Sequence, residues 1–151
     1  MTLCLRPAVP LDAGAAGDIL FYFQQDTEWM PKLYTWAEAI SFCGTMIDRG
    51  WVTVAERQGC VLGFLARDGA EVCALYLAPG ACGQGAGKAL LDAAKAAAPR
   101  LILRTFAANT RAQKFYRREG FAETGRGGGA GNEEGLPDIA YEWRAIREAA
   151  A

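Results

Sequence analysis

The chain contains no histidine. That absence removes the Ser-His-Asp and Cys-His routes to an activated nucleophile, and most zinc-hydrolase ligand sets with them. Chemistry driven by positioning, on a substrate that arrives already activated, survives it. A disulfide framework is excluded as well. The five cysteines (Cys4, Cys43, Cys60, Cys73 and Cys82) are an odd number, scattered, with no C-x-x-C pair. Reduced thiols and a cytoplasmic location are the expectation. No sign of charge dominates, since 16 Lys and Arg stand against 17 Asp and Glu for a net charge of -1. Neither nucleic acid nor a membrane is therefore expected as a partner. The longest apolar runs are far too short to span a bilayer. The opening Met1-Thr2-Leu3-Cys4-Leu5-Arg6-Pro7 has neither the charged start nor the apolar centre of an export signal.

What is there is globular material. With 52% hydrophobic and 22% charged residues over 151 positions, the chain suits one domain, 1–151, with a sizeable core. The most informative stretch is Leu75-Tyr76-Leu77-Ala78-Pro79-Gly80-Ala81-Cys82-Gly83-Gln84-Gly85-Ala86-Gly87-Lys88-Ala89-Leu90-Leu91. It reads as a buried strand, a glycine turn and a helix. Alternate glycines let backbone N–H groups converge on a ligand, and the helix adds the positive end of its dipole. Such a turn holds phosphate. A Walker A loop ending at Gly87-Lys88 would need glycine at Cys82 and a hydroxyl at Ala89. A dinucleotide fingerprint starting at Gly83 would need its third glycine at Lys88. Neither nucleotide loop fits.

A second landmark follows about twenty residues on, in Asn109-Thr110-Arg111-Ala112-Gln113-Lys114-Phe115-Tyr116-Arg117-Arg118-Glu119-Gly120-Phe121. The first stretch resembles the acyl-CoA pyrophosphate loop of GNAT-type N-acetyltransferases, [QR]-x-x-G-x-[GA], with Gly85 and Gly87 at the glycine positions. Cys82 departs from the usual Gln or Arg. The second matches the family's N-x-x-A-x-x-F-Y-x-x-x-G-F at every named position, in the family's order and spacing. The resemblance extends more loosely over nearly the whole chain. It implies an α+β fold: a mixed, mostly antiparallel sheet of six to seven strands, splayed central parallel strands, and about four helices.

Local patterns supply the elements. Strands are expected over 3–8, 51–57, 60–67, 72–77, 101–106, from 121, and over 139–146. Helices are expected over 13–25, from Trp36 to about 48, over 88–98, and over 110–119. Asp12 suits the cap of the first helix, and Thr35 with Glu38 forms a capping-box pattern for the second. Gln58-Gly59 joins a hairpin. Residues 125–135, with six glycines, should be a mobile loop, and the alanine tail should fray.

The resemblance also assigns roles. The backbone of Leu75, Tyr76 and Leu77 would pair with the cofactor's pantetheine arm, with the Leu77 N–H as oxyanion donor. Cys82, Gly83, Gln84, Gly85, Ala86, Gly87 and Lys88 would surround the pyrophosphate. Cys82 reads either as a thiol activated beside a helix N-terminus or as a small residue in a tight turn. Lys88 is either a phosphate contact or a solvated side chain. Tyr116 matches the tyrosine that protonates the departing thiolate; taken alone it is a core aromatic. Asn109 matches a position that bonds the cofactor arm, and it also suits a helix cap.

The general base is less defined. Glu71 is the carboxylate on the strand leading to the loop. Asp26, Glu28, Trp29 and Tyr34, between the first two helices, are candidates for the acceptor pocket, as is the 132–134 segment. The resemblance thus implies acetyl-CoA as co-substrate, no metal, and direct attack by a primary amine of a small molecule or peptide. It is compatible with a monomer or a homodimer. The alternative is a CoA-binding sensor or interaction module without catalysis, for which Cys82 and the missing base speak.

Overall fold

The computed structural model describes residues 2–146. Twelve elements follow one another: β1 (Cys4–Pro7), a 3-10 turn (Pro10–Asp12), α1 (Ala13–Asp26), α2 (Trp36–Asp48), β2 (Val52–Arg57), β3 (Cys60–Asp68), β4 (Glu71–Leu77), α3 (Ala86–Ala97), β5 (Arg100–Phe106), α4 (Thr110–Arg118), β6 (Ala122–Gly127) and β7 (Asp138–Arg144). The seven strands form one sheet in the order β1-β2-β3-β4-β5-β7-β6. β4 and β5 are the parallel pair, and the other neighbours are antiparallel. This is the mixed α+β architecture expected from the resemblance.

Apolar spacing explains which face each helix takes. Leu90, Leu91 and Ala94 of α3 and Tyr116 of α4 pack on one face of the sheet against Leu101, Leu103, Ile139 and Tyr141. On the other face, Ile19 of α1 and Cys43, Met46 and Ile47 of α2 cover Val52, Val54, Phe64, Ala66 and Ala74. Among the described residues, the strand members of this second cluster all come from β2, β3 and β4. The same face of β5, β7 and β6 is left without a helix.

Two caps turn out differently. The Thr35 hydroxyl accepts from Glu38 N–H at 3.1 Å, and Glu38 Oε1 accepts from Thr35 N–H at 3.0 Å, so the capping box forms. Asp12 does not cap α1 with its side chain. Its carboxylate takes both Arg6 nitrogens, at 2.7 and 3.0 Å, and the Val9 N–H at 2.8 Å. A charge-assisted bidentate pair outcompetes a neutral cap, and it ties β1 to the turn.

The glycine-rich segment is also more structured than expected. Gly125, Arg126 and Gly127 pair with Ala140, Ile139 and Asp138, so β6 runs into it. Beyond, the Asn132 side chain donates to Leu136 C=O at 2.8 Å and accepts from Leu136 N–H at 3.2 Å. A strand partner satisfies backbone groups whatever the side chains, so glycines alone do not make a loop. α3 begins two residues sooner than expected, at Ala86, and β7 ends at Arg144. The alanine tail lies outside the described residues.

β3 approaches β4 closely at Gly63, where a Cβ would stand 2.6 Å from Leu77 Cδ2 and 2.9 Å from the Tyr76 carbonyl oxygen. Gly63→Ala is expected to destabilise the fold by about 1–3 kcal/mol through overpacking against backbone. Urea unfolding measures this, and an unchanged midpoint would refute it.

Candidate active site

The central strands separate almost at once. β4 and β5 share one paired position, Glu71 with Ile102, next to a bond from Ile102 N–H to the Ala70 carbonyl at 2.8 Å. Cys73 is the extra residue of a bulge in β4, since Ala66 faces Ala74 and Arg67 faces Val72. Bulges bend and twist a strand, here away from β5. On its other side β4 stays in register with β3, and Ala78 N–H donates to Leu62 C=O at 2.7 Å. Antiparallel pairs alternate between bonded and non-bonded. Tyr76, opposite Phe64, therefore turns its backbone toward β3. Leu75 and Leu77 turn theirs toward the gap, where β5 has already left.

The gap is a cavity of about 90 Å³. Val72 to Tyr76 line one wall, and Leu103, Arg104 and Thr105 line the other, with Asn109, Ala112 and Tyr116 from the α4 side. Leu77 is not among its lining residues; it lies toward the glycine loop and packs near Gly87. Of these two residues, Leu75 is the one that lines the cavity.

Tyr116 is 8% exposed, its ring set edge-on to Phe115 and Phe121. Burial drives its phenol well above the ordinary tyrosine range, with a smaller push from Tyr76. Tyr76 packs against Phe23 and Phe64, and burial pushes its phenol up to about 12, with Glu134 of the β6–β7 connection adding to the shift. Both phenols are thus held protonated. Asn109 caps α4, its Oδ1 accepting from Ala112 N–H at 3.1 Å, while the same residue lines the cavity.

The loop beyond β4 is shaped by Gly83 and Gly85, at φ 83° and 84°, a left-handed conformation that L side chains rarely adopt. Gly85 is the N-cap of α3, and the first helical bond runs from Ala89 N–H to Gly85 C=O at 3.0 Å. The N–H groups of Ala86, Gly87 and Lys88 therefore have no intrahelical partner. Three such donors at a helix N-terminus suit an anion without any side chain. The Lys88 side chain turns to acidic neighbours. Its Nζ lies 3.0 Å from Glu119 and 3.3 Å from Asp92, and Glu119 chiefly raises its pKa. Cys82 is exposed, ahead of the helix.

A second hollow, of about 360 Å³, is lined from β4, β5, β7 and β6. Val72, Cys73, Leu103 and Arg104 line both spaces. Glu71 lines this second hollow and not the first. Cys73, which the motifs did not single out, sits where the two meet. Burial, and then the Glu71 charge, raise its thiol above the ordinary range. Trp29 stands edge-on to Phe106 at 5.7 Å, beside the end of β5. Asp26, Glu28 and Tyr34 line neither space. Tyr34 is instead held through its backbone by Gln24. Among the described residues no cluster of His, Cys, Asp or Glu has the form of a metal site, and no helix is long and apolar enough to cross a membrane.

The splayed pair, the glycine loop and the helix N-terminus coincide with a known pattern. The family described as Acetyltransferase (GNAT) domain matches residues 48–123. The chain belongs to the GNAT acetyltransferases. Among curated GNAT relatives, the peptidyl-lysine N-acetyltransferase YjaB of Salmonella typhimurium is 40% identical over 76 residues, 50% of this chain and 52% of the relative. Its namesake in Escherichia coli is 38% identical over 76 residues, 50% and 51% of the two chains. The chain thus spans about half the length of the curated relatives it matches. Solved structures share the fold over a longer stretch. Apo-form YjaB from E. coli has a TM-score of 0.80 at 21% identity, covering 97% of this chain and 100% of that one. The putative acetyltransferase yncA of Salmonella typhimurium, solved with acetyl-CoA, has a TM-score of 0.73 at 19% identity, covering 100% and 98%.

The three loop glycines should not tolerate substitution equally. A Cβ at Gly87 would meet only ordinary contacts, 3.5 Å from Leu77 and 3.7 Å from Phe115, whereas Gly85 sits at positive φ. Gly85→Ala is expected to weaken CoA binding about tenfold, from ~1–2 kcal/mol of backbone strain. Gly87→Ala should change it far less. Calorimetric titration with CoA measures both, and equal losses would refute the assignment.

Proposed function

We propose that this protein is an acetyl-CoA-dependent N-acetyltransferase, moving an acetyl group to a primary amine of a peptide or small molecule by direct attack on the thioester. The observation that carries this reading is the gap between β4 and β5, lined by Leu75 and the buried Tyr116, with the glycine turn and the N-terminus of α3 following β4. The pantetheine arm suits such a gap because its amides satisfy strand-edge groups that would otherwise stay unpaired. The orphan N–H groups of α3 suit the diphosphate.

In the reaction the amine lone pair attacks the thioester carbon, and charge grows on the carbonyl oxygen. The Leu75 N–H faces the cavity and is the oxyanion donor in this reading, in place of Leu77. The C–S bond then breaks. Tyr116 has a higher pKa than an ordinary thiol, so full proton transfer from it is uphill. It stabilises the departing sulfur by donating a hydrogen bond, and solvent delivers the proton that the amine gives up. In this reading the amine approaches through the second hollow, and Glu71, which lines it, takes that proton or relays it to water. Cys73, which lines both spaces, takes no covalent part in this reading. The names of the YjaB relatives favour a lysine side chain in a peptide as acceptor; small amines share the same chemistry.

A thiol-release assay with acetyl-CoA across lysine peptides and small amines tests the function. CoA binding without turnover on any amine would instead mark a sensor. Tyr116→Phe is expected to lower kcat about a hundredfold, and unchanged turnover would sink its role. Cys73→Ala should stay within about twofold of the parent, since the thiol takes no covalent part. Because the Tyr116 phenol titrates above its usual range, its protonated form persists at every pH below that value. The kcat profile should therefore rise with pH as the amine or its proton acceptor titrates, with no alkaline fall up to about pH 10. An alkaline fall near pH 8 that disappears in Tyr116→Phe would contradict this.

A further inference from the structure

The anion site at α3 lacks a cation of its own. Lys88 is committed to Glu119 and Asp92, and Cys82 carries no charge. One guanidinium nevertheless reaches the loop from elsewhere. Arg57 ends β2, at the turn Gln58-Gly59, and its Nη1 donates to Gln84 Oε1 at 2.9 Å. Gln84 in turn donates from Nε2 to the Gly80 carbonyl at 2.9 Å, so its oxygen is held facing Arg57. That is the one hydrogen bond of Arg57 among the described residues, and no carboxylate pairs with it there. Its Nε is buried without an acceptor. The side chain is half-buried, and its planar fork matches a phosphate edge.

We propose that Arg57 is the cationic partner of the donor's diphosphate, supplied from the β2–β3 hairpin and not from within the glycine loop. The inference rests on the acyl-CoA reading above. The loop supplies backbone donors and sets the position of the diphosphate. Arg57 supplies the charge that the loop itself lacks, and Gln84 orients it. This division explains how a loop with cysteine at the position the family usually fills with Gln or Arg still holds a multiply charged ligand.

Calorimetric titration of the full chain with CoA and with dephospho-CoA, at low and high salt, tests it. Arg57→Ala and Arg57→Gln should each weaken both ligands about tenfold, as expected for one lost charge-assisted contact. Arg57→Lys should recover only part of the loss, since it keeps the charge and not the planar fork. Salt should weaken wild-type binding more than that of the Arg57→Gln variant. Unchanged affinity in Arg57→Gln would overturn the proposal, since glutamine can still bond Gln84 and only a mechanical brace would remain. A loss seen with CoA but not dephospho-CoA would overturn it too, placing the contact at the 3′-phosphate. If the wild-type protein binds neither ligand, the donor reading itself falls, whatever the Arg57 variants do.

Discussion

The separation of β4 from β5 after a single paired position is the constraint on which the site depends. Two neighbouring strands in a sheet interior ordinarily satisfy one another's backbone groups. Here the bulge at Cys73 turns β4 aside while β3 keeps its outer edge in register. The register of β7 does the same for β5 over all seven of its residues. Each half of the sheet is therefore complete on its far side and open in the middle. A buried backbone group without a partner costs about 1–3 kcal/mol. The gap is stable only with something polar inside it, water or the amide-bearing arm of a ligand.

The surroundings reinforce that opening. α3 and α4 pack on one face of the sheet, and α1 and α2 cover only the β1–β4 half of the other. The gap and the second hollow share Val72, Cys73, Leu103 and Arg104 in their linings. Charges near it are largely neutralised among themselves: Lys88 and Lys95 with Glu119, Arg104 with Asp138, Arg100 with Glu142. The Lys88–Glu119 contact also links the first turn of α3 to the end of α4. Arg104, Thr105 and Asn109 give the cavity wall a polar share beside its apolar and phenolic residues. Tyr116 is buried, and its phenol stays neutral.

Much of this was legible from the chain. The glycine spacing at 83, 85 and 87, together with Asn109–Phe121 in register, pointed to the family and its element order because these segments act locally. A left-handed φ needs glycine, and a helix N-terminus needs free N–H groups, whatever the rest of the fold does. The Thr35–Glu38 box is of the same kind, since both partners lie within one turn. Local reasoning failed where a distant partner competed. Asp12 was drawn from α1 by Arg6, and Gly125–Gly127 was drawn into a strand by β7.

What the sequence determined by itself is therefore the kind of site: a backbone-built anion cradle after a buried strand, in a chain without histidine. Its contents were decided only by the tertiary structure. Which N–H faces the gap follows from the pairing register with β3. That Cys73 stands between two hollows follows from a bulge. That Arg57 reaches Gln84 follows from a hairpin 27 residues away in the chain. The physical reason is common to all three. Register, bulges and ion pairs are settled by competition among groups far apart in sequence, and that competition exists only once the sheet has formed.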